Sequence, residues 1–288
     1  MRVLLMLLLL TTSAFAKPLV VATFSILGDM VHQIGDDKVD IKILVGPNED
    51  THVYEPRPQD AKYLSQADLV VVNGLGFEGW LERLIEASGF KGKVVSASAG
   101  IVPLEREVNG KKTTDPHAWH SLKNAQIYVD NIAKGLSELL PNESSFFKSR
   151  ADAFKKSLQN LEAKTHEALK TIPLSKRKVI TGHDAFAYLG DEFNIQFYAP
   201  QGMSTESEPS AKSVAELINL IKKEKVKAIF VENISNPRLV EQIANESGVQ
   251  IGGILYSDAL SPPGTEADTY LKMMEYNLDA ITKALGKG

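Results

Sequence analysis

The sequence predicts an α/β protein of two lobes, each a parallel sheet flanked by helices, joined by one long rigid linker helix. Three observations carry this. Apolar, β-branched runs alternate with amphipathic stretches through both halves of the 288-residue chain. About 270 residues remain once an N-terminal leader is set aside, more than a single hydrophobic core usually serves. Between the halves, Asn142 to Ile172 contains neither Gly nor Pro.

Residues 1–16 read as an export signal. Arg2 supplies the positive start, Val3 to Leu10 is an unbroken apolar stretch, and Ala14-Phe-Ala16 fits a small-x-small cleavage site. The apolar stretch is too short to span a bilayer. The N-terminal lobe, 17–141, then alternates strands at Leu19–Thr23, Val39–Val45, Asp68–Asn73 and Lys93–Ala97 with helices at Ser25–Ile34, Pro58–Gln66 and Glu78–Ser88. The linker, 142–172, repeats Phe147, Ala151, Phe154, Leu158, Leu161 and Leu169 at helical steps or near multiples of them, with Asn142 as the predicted N-cap and Pro173 as the stop. The C-terminal lobe, 173–288, has strands at Lys178–Thr181, Ile195–Tyr198, Val226–Glu232 and Gln250–Tyr256. Its helices are predicted at Ala211–Lys223, Pro237–Glu246 and Thr265–Leu285.

Composition excludes several functions. The chain has no cysteine, so disulfides, thiolate metal ligands and a lipid-anchored cysteine after the signal are all ruled out. The formal net charge is −4, and −5 once Arg2 leaves with the signal. That balance argues against nucleic acid, which requires a clustered positive face. The expectation is a monomer free in the periplasm.

Four potential metal ligands each stand just after a separate apolar run, far apart in sequence: His52, His117, His183 and Asp258. Ligands of an open α/β sheet bind beyond the carboxyl ends of its strands, so side chains there can converge. Three neutral imidazoles and one carboxylate make an ordinary tetrahedral set for Zn²⁺. Asp115 is placed to orient His117 through its second ring nitrogen. His120 is expected at the surface or in a hydrogen bond, and His32 and His166 as structural or solvated. Gly74-Leu-Gly-Phe-Glu-Gly79 matches G-x-G-x-x-G, but no Asp or Glu occurs between Glu86 and Glu105 to hold a ribose, and Glu78 would repel a pyrophosphate. These glycines read as a tight turn. His166-Glu167 lacks the second histidine of a zincin helix.

Val45-Gly-Pro-Asn-Glu-Asp-Thr-His-Val-Tyr-Glu-Pro56, Asp115-Pro-His-Ala-Trp119, Gly182-His-Asp-Ala-Phe186 and Leu255-Tyr-Ser-Asp-Ala-Leu260 resemble the four ligand loops of the metal-binding receptors of bacterial zinc and manganese ABC importers. Ser204-Thr-Glu-Ser-Glu-Pro-Ser210 is similar to a further signature of that family. The resemblance implies one ion in a cleft between two lobes. His52 and His117 would come from the amino-terminal lobe, His183 and Asp258 from the other, and the partner would be an inner-membrane permease. A histidine at the third position favours Zn²⁺, with Mn²⁺ next. The alternative from another class is a secreted zinc hydrolase, which would need an open coordination position.

Overall fold

The computed structural model describes residues 16–108, 111–226 and 228–286, so all but the last residue of the predicted export signal lies outside the described residues. Among the described residues no helix is long and apolar enough to cross a membrane.

Strands β1 (Leu19–Phe24), β2 (Asp40–Val45), β3 (Leu69–Val72) and β4 (Lys93–Ser96) form a parallel sheet in the order β2-β1-β3-β4. A small antiparallel hairpin follows, β5 (Glu105–Val108) with β6 (Lys111–Thr114). Strands β7 (Lys178–Ile180), β8 (Gln196–Tyr198), β9 (Ala228–Glu232) and β10 (Ile251–Leu255) form a second parallel sheet, ordered β10-β9-β7-β8. Counted from its own first strand, each large sheet has the same order. The second strand lies to one side of the first, and the third and fourth lie to the other. The direction of winding therefore reverses between β1 and β3, and again between β7 and β9, and a crevice opens at such a point. The central strands β1 and β3 are apolar and almost wholly buried, as strands covered on both faces must be.

Helices α1 (Ser25–Gly35), α2 (Pro58–Gln66), α3 (Leu81–Ser88) and α4 (Leu122–Leu139) belong to the first sheet. Helix α5 (Ser144–Leu169) is the long element, and α6 (Ala187–Phe193), α7 (Ala211–Glu224), α8 (Arg238–Ser247) and α9 (Tyr270–Gly286) belong to the second. The 18-residue α4 is absent from the alternation read in the sequence, because it follows an irregular loop rather than a strand. It forms for ordinary reasons. Ser121 caps it, accepting the Asn124 N–H at 3.1 Å, and Leu122, Ala125, Val129, Ile132 and Leu136 make one buried stripe.

The 26 residues of α5 extend about 39 Å. They bury the predicted stripe of Phe147, Ala151, Phe154, Leu158, Leu161 and Leu169 against α1 and α4 on one side and α9 on the other. Asn142 does not cap this helix. Pro141–Glu143 is a 3₁₀ turn, and the Ser144 hydroxyl donates to the Pro141 carbonyl instead. Two other predicted starts move inward. Helix α3 begins at Leu81 rather than Glu78 because Glu78 is used elsewhere, as described below. Helix α9 begins at Tyr270 rather than Thr265 because the Gly264 N–H donates to Asp268, holding those residues in a turn.

One cluster of buried apolar side chains runs from Val20 on β1 through Trp119, Phe147 and Phe186 to Met273 on α9. The two sheets thus share a core around α5. A smaller cluster, including Ile180, Ile221, Ile229 and Ile243, seals α7 and α8 onto the second sheet.

Candidate metal centre

Each candidate ligand is held by its own loop. His52 ends the turn after β2, and its N–H donates to Asp50 Oδ1 at 2.9 Å. Asp50 Oδ2 meanwhile accepts the hydroxyl of Thr205, from the other half of the chain, at 2.6 Å. His117 does not follow an apolar strand as the sequence suggested. It follows the charged hairpin β5–β6, in the loop that leads through a 3₁₀ turn into α4. Asp115 Oδ1 fixes it by accepting the His117 N–H at 3.0 Å and lying 2.8 Å from Nδ1. His183 comes directly after β7. Glu232, at the end of neighbouring β9, accepts the Gly182 and His183 N–H groups through Oε1 at 2.7 and 2.9 Å, and its Oε2 lies 2.5 Å from His183 Nδ1. Asp258 follows β10. Its loop is tied to the first half by Trp119 Nε1, which donates to the Ser257 carbonyl at 3.0 Å.

Carboxylates only accept, so Asp115 and Glu232 assign the ring proton of His117 and His183 to Nδ1 and leave Nε2 as a free donor atom. Those Nε2 atoms converge. His52 Nε2 lies 3.3 Å from His117 Nε2 and 3.2 Å from Asp258 Oδ2. His183 Nε2 lies 3.3 Å from the same Asp258 oxygen, and His117 Nε2 is 3.7 Å from Oδ1. All four ligand atoms fall within 4.8 Å of one another. An ion about 2.1 Å from each vertex of a tetrahedron requires edges of about 3.4 Å, and the separations of 3.3, 3.2 and 3.3 Å lie close to that. His183 Nε2 and both oxygens of Asp258 are buried without a hydrogen bond among the described residues. Lone pairs crowded this way are stabilised by a cation between them.

The electrostatics agree. Burial opposes charge on His183, but Glu232 and Asp258 overcome it and hold its pKa well above the usual histidine range. Burial likewise opposes charge on Asp258, but His183 and His117 overcome it and hold the carboxyl well below its usual range.

The remaining histidines divide. His32 and His166 are exposed, on α1 and α5. His120 is neither at the surface nor in a hydrogen bond. It is wholly buried, 4.4 Å from the ring of Phe186, with neither ring nitrogen partnered among the described residues. The glycine turn after β3 holds no phosphate cradle. The half-buried carboxylate of Glu78 accepts the Asn73 and Gly74 N–H groups, at 2.6 and 3.2 Å, and the hydroxyl of Thr23 at 2.7 Å. The anion at this turn is the chain's own. Gly74 has φ +83°, and a Cβ there would lie 2.4 Å from Ser96 Oγ. Sequence reasoning passed over Glu232. The available signal was an acidic residue closing an apolar run that neighbours the His183 strand.

Residues 20–284 match the family described as the zinc-uptake complex component A, periplasmic. The chain belongs to this family. It is 36% identical over 273 residues to the manganese-binding lipoprotein MntA of Bacillus subtilis, covering 92% of this chain and 89% of that one. It is 34% identical over 269 residues to the MntA of Halalkalibacterium halodurans, covering 93% and 88%. Among solved structures, the periplasmic zinc-binding protein TroA of Treponema pallidum superimposes with a TM-score of 0.89 at 33% identity, covering 94% of this chain and 99% of that one. A manganese-bound periplasmic metal-binding protein from Candidatus Liberibacter asiaticus gives 0.85 at 29% identity, covering 93% and 100%. The family member described here is therefore a metal-binding component of an ABC importer and not an enzyme.

Proposed function

We propose that this chain captures one divalent transition metal ion, Zn²⁺ in preference to Mn²⁺, at His52, His117, His183 and Asp258, and delivers it to an importer permease in the inner membrane. It does so as a periplasmic monomer, with lobes 17–141 and 173–288 on either side of the linker 142–172. The observation that carries this reading is the buried convergence of four potential ligand atoms, supplied by both halves of the chain, within 4.8 Å of one another. Three imidazoles suit Zn²⁺, and the intrinsic affinity order places Zn²⁺ above Mn²⁺. A zinc hydrolase finds no support, since Asp258 fills the position that catalytic zinc keeps open for water.

Removing a ligand tests it. His183→Ala and Asp258→Ala should each lower Zn²⁺ affinity by more than the roughly 10–100-fold that losing an outer partner costs. His32→Ala and His166→Ala should leave it unchanged. Competition titration against a chelator reads all four, and unaltered binding in the His183 variant would refute the assignment.

A further inference from the structure

We propose that Glu232, acting through His183, sets the preference of this site for Zn²⁺ over Mn²⁺. The inference rests on the metal-site reading above and assigns a role to a residue that does not itself reach the ion.

Glu232 stands on the other side of the β7/β9 crevice from the strand that carries His183, and it is 3% exposed. Its two oxygens do separate work. Oε1 accepts the Gly182 and His183 N–H groups and so fixes the loop. Oε2 faces only the imidazole, 2.5 Å from Nδ1, among the contacts of the described residues. A carboxylate this close, with both side chains buried, draws the Nδ1 proton toward itself and pushes electron density onto Nε2. His183 then becomes a stronger nitrogen donor than a free imidazole.

Donor strength does not act equally on the two ions. Zn²⁺ stands above Mn²⁺ for nitrogen ligands, and Mn²⁺ is served better by carboxylate and water oxygens. A stronger nitrogen therefore widens the gap between them. The negative charge of Glu232 would, by itself, strengthen the binding of both ions to the same degree. Only its effect on the His183 nitrogen separates them.

Glu232→Gln removes the charge and the acceptor together, and the Zn²⁺/Mn²⁺ ratio separates the two effects. The amide keeps an oxygen for the two backbone N–H groups, so the loop retains its support, and it removes the acceptor opposite Nδ1. Zn²⁺ and Mn²⁺ affinities of wild type and variant are measured by competition titration. The expected result is a Zn²⁺ loss of about 10–100-fold with a Mn²⁺ loss several-fold smaller, so that the Zn²⁺/Mn²⁺ ratio falls. Equal losses would show a role in charge and placement only and overturn the proposal, as would a greater Mn²⁺ loss. A wild-type protein that binds neither ion would instead overturn the site reading, and this inference with it. Should the variant not fold, the wild type decides alone. In the zinc-loaded protein the His183 Nδ1 proton should resonate far downfield in a ¹H–¹⁵N correlation spectrum, and an ordinary imidazole position would overturn the proposal.

Discussion

His120 comes three residues after His117, and its ring is packed between Trp119 and Phe186 with both nitrogens bare among the described residues. Burial, and then the nearby His117, push its pKa down to about 3. The folded protein therefore holds this ring neutral, while the unfolded chain protonates it near its ordinary value of about 6.5. Between those two values the unfolded state binds a proton that the folded state refuses, so stability falls as pH falls, at up to about 1.4 kcal/mol per pH unit. His120→Leu removes this dependence and two unsatisfied polar atoms with it. In urea unfolding of the metal-free proteins, the variant should gain on the wild type steadily from pH 6.5 to pH 4. Parallel curves would show that His120 is not held neutral. At this scale the sequence was informative about which candidate ligands converge and poor about their neighbours. His52, His117, His183 and Asp258 lie in recognisable loops, whereas the burial of His120 and the reach of Glu232 depend on packing between segments far apart in the chain.

Helix α5 was legible because its stripe is long, uninterrupted and free of Gly and Pro, which leaves little competing structure. Helix α4 has as clear a stripe but was passed over, since an alternating scheme of strands and helices reserves no place for a helix that follows a loop. The hairpin β5–β6 escaped for a different reason. Its strands are charged and polar and have no apolar alternation, and its one signal is the Asn109-Gly110 dipeptide, favoured in two-residue turns. The buried face of α5 carries a testable load. Leu158 is fully buried at mid-helix. Leu158→Ala should cost about 2–5 kcal/mol of stability, measured by denaturant unfolding, with metal affinity unchanged in the folded protein. A loss of affinity matching the loss of stability would mean that α5 also sets the geometry of the site.

Across the whole molecule, the two halves are joined by more than the helix. The core is continuous between the sheets. The Leu260 N–H donates to Ser25 Oγ at 3.0 Å, the Tyr270 N–H to Asp29 at 2.7 Å, and the Tyr188 hydroxyl to the Asp115 carbonyl at 2.9 Å. Wide opening would break these contacts together, and α5 contains neither Gly nor Pro. Small-angle scattering of metal-free and metal-loaded protein should thus give nearly equal radii of gyration. A difference of several ångströms, on the order of a true domain swing, would contradict a rigid frame. Release is then expected in a small region, and the loop of Asp50 is where to test it. Of the four candidate ligands His52 keeps the most exposed side chain, at 6%, and Asp50 links its backbone to Thr205 across the two halves. The dwell time of a captured ion should then depend on the ties of this loop: the Thr205 hydroxyl on the Asp50 carboxylate, and Asn48, whose N–H donates to the Leu260 carbonyl at 3.0 Å and whose Oδ1 accepts from Asn233 Nδ2 at 2.9 Å. Thr205→Val should shorten that time by about tenfold, the kinetic worth of a hydrogen bond to a charged group. Stopped-flow transfer of zinc to a chelator would measure it, and an unchanged rate would mean that the ion leaves by another door.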